Sequence, residues 1–220
     1  MPPTRTLAPV LALLVASPVL AEGPARIQVL DAPKPLPAGL RIEGQVVAHL
    51  RYSDAAGTHL IVLTETKPKE TKARSELEDP TQSKSLYAYA FLETKKRPKL
   101  RWRVKDFVLD CAFDLTVQHI EGSLQVTDLD QDGVAEVTFV YQLQCTSDVS
   151  PSQIKLIMYE GKDKYAIRGS ERVHVGVEDG KPVYVGGESE PDPAFAKAPA
   201  ALLEHAQAAW RKHAGGPALD

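Results

Sequence analysis

The chain has 220 residues, 26 Lys+Arg against 29 Asp+Glu, a formal net charge of −3, 25% charged and 43% hydrophobic residues. That is ordinary globular usage, and a balance so close to neutral gives no ground for a nucleic-acid partner. Beyond the N-terminal segment no apolar stretch is long enough to span a bilayer, so no transmembrane span is expected.

The N-terminus has the layout of an export signal over residues 1–21. Arg5 supplies positive charge, Leu7 to Val15 an apolar run, and Val19-Leu20-Ala21 a small-residue cleavage site. Cleavage after Ala21 leaves 220 − 21 = 199 residues; only Arg5 is lost among the charges, so the balance becomes 25 − 29 = −4. No cysteine follows the apolar run, which argues against a lipid-anchored precursor. The expected address is therefore the periplasm or the exterior, with one domain as the default for this length. Two cysteines in an exported chain are most simply one disulfide, Cys111–Cys145. A catalytic or metal-binding thiol is the alternative, although neither cysteine has a Cys-x-x-Cys partner or a nearby histidine.

Residues 22–39, with Pro24, Pro33, Pro35 and Pro37, read as an extended lead-in. Residues 40–187 read as a β-rich domain. Gln45–Tyr52 and Thr58–Thr66 are apolar-rich runs around a turn at Ser53–Gly57, a hairpin signal. Lys67–Lys84 is polar, carries Pro68 and Pro80, and predicts a long surface loop. Strands are expected again over Leu86–Leu92, around Leu100, Trp102 and Val104, and along Phe107–Ile120. Further strands follow at 123–127, 134–144, 154–159, 164–168, 172–177 and 182–185, with turns at Gly161, Gly169 and Asp179-Gly180. Residues 188–220 form a C-terminal helix and tail, with Phe195, Leu202, Ala206, Ala209 and Trp210 on one helical face. The expected fold is mainly β, with antiparallel sheets in a sandwich or an incomplete propeller-like arrangement and one C-terminal helix.

Within this frame, Asp128-Leu129-Asp130-Gln131-Asp132-Gly133-Val134-Ala135-Glu136 is the stretch with the most chemistry. Calcium takes six to eight oxygen ligands, and alternating aspartates on a tight loop gather them efficiently. Asp128, Asp130 and Asp132 would point inward, the carbonyl of Val134 would add a ligand, Glu136 would close the set, and Gly133 would allow the sharp turn. An EF-hand needs an acid at its twelfth position, and here that position is Phe139. The shorter spacing resembles the calcium turns of integrin-type propeller blades. An acidic, solvated hairpin turn without metal is the plain alternative.

From Leu86 to Gly169 the chain resembles small exported bacterial proteins labelled as surface polysaccharide biosynthesis proteins. The resemblance is carried by Leu86-Tyr87-Ala88-Tyr89, Asp106-Phe107, Cys111, Asp114, Val126 through Glu136, Tyr141, Cys145 and Asp148-Val149-Ser150-Pro151. It continues through Lys155–Gly161 and Lys164–Gly169, and departs at Ala90 and Arg101. It implies a link to the cell envelope and carries over no catalytic residue.

Little else points to catalysis. The histidines show no metal-ligand spacing, and no Gly-x-Ser-x-Gly elbow or phosphate-cradling glycine loop is present. Asp114, Glu121 and Asp148 are the acids available for a glycosidase pair, while Asp148–Pro151 more simply forms a turn. The basic run Lys95–Arg103 is the best ligand candidate. Strand alternation would put Lys99, Arg101 and Arg103 on one face as an anion-binding surface for an envelope glycan; the plain alternative is a solvated, aggregation-resistant face. The leading expectation is an exported, calcium-pinned, non-enzymatic envelope protein associated with surface polysaccharide. The alternatives are an envelope enzyme acting on glycans and a protein-binding module with an exposed apolar patch.

Overall fold

A computed structural model describes residues 27–73, 75 and 79–215, so the export signal lies outside the described residues. The strands, in chain order, are β1 (Gln28–Leu30), β2 (Gln45–Asp54), β3 (Gly57–Glu65), β4 (Lys69–Thr71), β5 (Thr81–Leu92), β6 (Lys99–Cys111) and β7 (Asp114–His119). They continue as β8 (Gln125–Thr127), β9 (Glu136–Thr146), β10 (Gln153–Glu160), β11 (Asp163–Ser170), β12 (Arg172–Glu178), β13 (Lys181–Gly186) and β14 (Ser189–Pro191). A 3-10 turn at Pro193–Lys197 precedes the helix α1 (Ala200–His213).

Two six-stranded antiparallel sheets result. The first runs β1-β2-β3-β5-β4 with β6 also on β5, and the second runs β14-β11-β10-β9-β7 with β8 also on β9. β12 and β13 form a separate ribbon closed by Asp179 and Gly180, both at positive φ (49° and 74°), as an Asp-Gly hairpin requires.

Alternation along the strands decides which residues fill each layer. Between the sheets, Ile61, Leu63, Leu86, Ala88, Ala90 and Val104 of the first meet Val117, Val137, Phe139, Tyr141 and Ile157 of the second. Trp102 stacks on Tyr159 across this gap, with ring centroids 4.2 Å apart. The outer face of the second sheet is also apolar. Ile154, Leu156, Met158 and Ile167 are covered by Phe195 and by Leu202, Ala206, Ala209 and Trp210 of α1. These five covering residues are the predicted helical face. The helix itself starts only at Ala200, because Pro199 stands at its N-cap and the preceding residues make the 3-10 turn capped by Asp192.

The outer face of the first sheet presents Leu60, Val62, Tyr87, Tyr89 and Phe91, and Leu36 of the lead-in, with Leu40 and Ile42 just after it, lies on it. The Tyr89 hydroxyl accepts from Glu43 N (2.9 Å), and the Tyr87 hydroxyl donates to the Glu43 carboxylate (2.8 Å). Gly44, at φ 83°, lets this segment cross β3 closely; a Cβ there would stand 2.7 Å from the Glu65 backbone. The lead-in is thus an integral layer, and β1 adds a strand to the first sheet.

The structure corrects the sequence reading in two stretches. The predicted loop Lys67–Lys84 contains β4, and β5 begins at Thr81. All of β4 is exposed, so its pairing rests on backbone hydrogen bonds and leaves no apolar period to read. Phe107–Ile120 is not one strand: β6 ends at Cys111 and β7 starts at Asp114 in the other sheet. The Cys111–Cys145 disulfide, with Cα atoms 5.7 Å apart, therefore joins the two sheets at this crossing.

Candidate metal centre

β8 and β9 form a narrow hairpin in which Thr127 lies opposite Glu136, and the acidic loop fills its end. Gln131 and Gly133 take positive φ (63° and 84°), which folds the loop back on itself. Each aspartate accepts a backbone N–H from further along the turn. Asp128 Oδ1 takes Gly133 N at 3.4 Å, Asp130 Oδ1 takes Asp132 N at 3.2 Å, and Asp132 Oδ1 takes Val134 N at 2.7 Å.

Two carboxylate groups result, each with ligand oxygens within 4.8 Å of one another: Asp128, Asp130 and Glu136, and Asp130, Asp132 and Glu160. The single set expected from spacing is thus divided. Asp130 is common to both groups, and Asp132 faces Glu160 rather than Glu136. Glu160 escaped the sequence reading because it stands 24 residues beyond Glu136. Its signal was topological: it ends β10 directly opposite Glu136 in the β9–β10 register. Val134 contributes its amide to Asp132.

Glu136 is fully buried, and its carboxylate accepts from the Thr127 hydroxyl (2.7 Å) and from Leu129 N (3.1 Å to each oxygen). Burial nevertheless pushes its pKa up against these donors, with Asp130 adding repulsion. Burial also raises Glu160, reinforced by Asp130, Asp132 and Glu136. The centre is therefore short of positive charge. Its donors are all carboxylates, the set a hard cation takes, with no histidine or cysteine to favour a transition metal.

The loop is also fastened to the opposite sheet. Ala55 N, in the β2–β3 turn, donates to Gly133 O (2.8 Å), and Ala135 N donates to Asp54 Oδ2 (3.3 Å). Asp54 is held in turn by Ala56 N (2.8 Å) and by His59 Nε2 (3.0 Å), and the His59 ring stacks on Tyr52.

The three basic-run candidates are dispersed. A β-bulge at Arg101 breaks the alternation assumed for Lys99, Arg101 and Arg103. Lys99 lies opposite Leu92 and Arg103 opposite Tyr89, on different faces of the sheet, and Arg103 already has Glu43 at 3.8 Å. The three are exposed but form no common face. Asp114 and Glu121 are separated by the length of β7, roughly 20 Å of extended chain, against about 5–9.5 Å for a glycosidase pair. Asp114, by contrast, lies opposite Thr146, whose hydroxyl donates to Asp148, so these two exposed acids are neighbours. Asp148 holds the turn to Pro151 by accepting from the Thr146 hydroxyl (2.7 Å) and Ser150 N (2.9 Å), and its pKa is held down at about 2, chiefly by the Ser150 side chain and then by Thr146. Arg168 pairs with Asp192 at 3.3 Å.

A polar group that spacing did not reveal lies between the sheets. Asp106 of β6 accepts from the Tyr141 hydroxyl (2.9 Å) and from Lys155 Nζ (2.7 Å), both in the second sheet. Among the described residues no helix is long and apolar enough to cross a membrane. No protein-family model, curated protein or solved structure matches the chain.

Proposed function

We propose that this is an exported, non-enzymatic protein of the cell envelope, pinned by calcium and associated with surface polysaccharide. The observation that carries the calcium reading is the placement of the acidic loop. Its carboxylates converge in two groups sharing Asp130, and its backbone is bonded to the β2–β3 turn of the facing sheet. A cation held by Asp128, Asp130 and Glu136, with Asp132 and Glu160 close by and the Val134 carbonyl as a further donor, would convert mutual repulsion into attraction. The loop would then be fixed at the sheet junction. Calcium suits such an irregular, all-oxygen set better than magnesium, which demands near-ideal octahedral geometry and dehydrates reluctantly.

Export is supported by the charged-apolar-small pattern of residues 1–21 and by a disulfide, a bond that persists in oxidising compartments. The association with polysaccharide rests on the resemblance over Leu86–Gly169. A glycan array probed with the mature protein, with and without calcium, tests it. Specific retention of envelope glycans without release of reducing sugar is expected. Sugar release would make the protein an enzyme, and absence of retention under both conditions would remove the polysaccharide association. Mass spectrometry of the exported protein should find Glu22 as its first residue; intact Met1 would overturn export by cleavage.

A further inference from the structure

The basic run does converge on a site, at a place that strand alternation does not indicate. The β5–β6 turn and the segment after the lead-in border a cleft of about 590 Å³, lined among others by Arg41, Phe91, Thr94, Lys96, Arg97 and Leu100. The bulge at Arg101 puts Leu100 directly opposite Phe91, on the face where the lead-in lies. Leu100 remains 47% exposed and makes an apolar floor, while Arg41, Lys96 and Arg97 line the cleft around it.

Among the described residues no carboxylate pairs with any of these three cations, whereas Arg51, Lys84, Arg103, Lys155 and Arg168 all have acidic partners. The rim is also preformed. The Thr94 hydroxyl donates to Arg97 O (2.8 Å) and accepts from Lys96 N and Arg97 N (3.3 Å each), which fixes the turn. On the other wall, Leu40 and Ile42 pack on the sheet on either side of Arg41 and hold its backbone in place.

We propose that this cleft binds an anionic glycan, a short oligosaccharide carrying carboxylate or phosphate groups. The kind of ligand rests on the envelope-glycan reading above; the place rests on the geometry. Its volume falls within the roughly 300–1,000 Å³ that holds small organic ligands, more than one inorganic anion needs. Cations distributed around the rim suit a ligand whose charges are spaced along a chain. Phe91 is only 3% exposed and offers no ring face to stack a nucleobase, which disfavours a nucleotide.

The test is titration calorimetry of the mature protein with a trigalacturonate, a phosphorylated oligosaccharide, a neutral oligosaccharide of equal length and a hexaglutamate peptide. The variant Lys96→Ser/Arg97→Ser is compared with Lys162→Ser/Lys181→Ser, which removes the same charge at exposed positions elsewhere. Binding of at least one anionic sugar but not the neutral one is expected. It should weaken about tenfold or more in the cleft variant, stay unchanged in the control, and fall with salt. The carboxylated and phosphorylated arms identify which group is read. Anionic-sugar binding that survives the cleft substitutions overturns this site while leaving the polysaccharide association standing. Failure of every anionic sugar to bind, while the array retains other envelope glycans, overturns the cleft's assignment alone. Equal binding of hexaglutamate, lost in the cleft variant, overturns the glycan assignment in favour of an acidic peptide.

Discussion

Asp130 belongs to both carboxylate groups, so replacing it with asparagine tests the proposed calcium centre most directly. Asparagine keeps the side-chain oxygen that accepts from Asp132 N and removes the charge. An extracellular module of this kind would have a dissociation constant of about 10⁻⁴–10⁻³ M. At a hundredfold excess over that constant, binding stabilises the fold by about 2.7 kcal/mol. With each kcal/mol moving Tm by about 2–4 °C at this chain length, calcium should raise wild-type Tm by about 5–11 °C over chelated protein. Magnesium should do much less. Asp130→Asn should lose most of the increment, and Glu160→Gln less, because Asp128, Asp130 and Glu136 remain. The chelated state gives an opposite sign: Asp130 raises the pKa of both Glu136 and Glu160, so removing its charge should raise Tm when no cation is present. Calorimetric scans of the three proteins in calcium and in chelator read both effects. A wild-type Tm indifferent to calcium and chelator alike, or an Asp130→Asn variant destabilised equally in both, would refute the reasoning.

Joint replacement Cys111→Ser/Cys145→Ser opens a cross-link between positions 34 residues apart and should cost about 3–4 kcal/mol in denaturant unfolding; a loss under 1 kcal/mol would show that the unfolded chain is hardly constrained by it. His119 is held below its ordinary pKa of 6.5, chiefly by burial, while its Nε2 reaches Tyr87 O (3.1 Å) in the facing sheet. Its contribution is therefore complete above about pH 6.5 and is lost as pH falls through the folded-state value, so the urea midpoint should drop between pH 7 and 5, and less so in His119→Gln. An equal drop in that variant would assign the acid sensitivity elsewhere, with His205 and His213, also depressed by burial, as the next groups to replace. Leu202→Ala, at a fully buried position of α1, should cost about 2–5 kcal/mol, and a change below 0.5 kcal/mol would mean that the helix does not stabilise the sheet it covers.

Local chemistry was legible in the sequence, and partnership at a distance was not. The β2–β3 and β12–β13 hairpins, the apolar face of α1, the left-handed glycine of the acidic loop and the disulfide pair follow from period, turn residues and cysteine count. Glu160 could not be assigned to the candidate metal centre without the β9–β10 register. The docking of Asp54 on Ala135 joins residues 81 positions apart. The bulge at Arg101 has no glycine or proline to announce it, yet it turns the basic run from one supposed face into the wall of a cleft. The packing of the lead-in was not legible for a related reason: its prolines signal irregular chain, while Leu36, with Leu40 and Ile42 just beyond it, is spaced to suit the sheet beneath rather than any period of its own.

The positions of the inter-sheet links explain why a metal at the acidic loop would matter to the whole fold. β9 runs from Glu136 beside the loop to Thr146 beside the disulfide, roughly 33 Å of extended chain. At its start, Gly133 and Ala135 bond to the β2–β3 turn; near its end, Cys145 is bonded to Cys111 of β6. Between them, His119 reaches Tyr87, and Tyr141 and Lys155 reach Asp106. Sheet-on-sheet packing supplies most of the cohesion but is non-directional, so these polar and covalent links are what hold one sheet in a fixed orientation over the other. The disulfide end is fixed covalently, whatever the ionic conditions. The loop end depends on carboxylates that repel one another unless a cation is present, and its two hydrogen bonds to the facing sheet run through the backbone of that same loop. Cation loss should therefore loosen the sandwich from the β2–β3 end, while the disulfide keeps the opposite end closed.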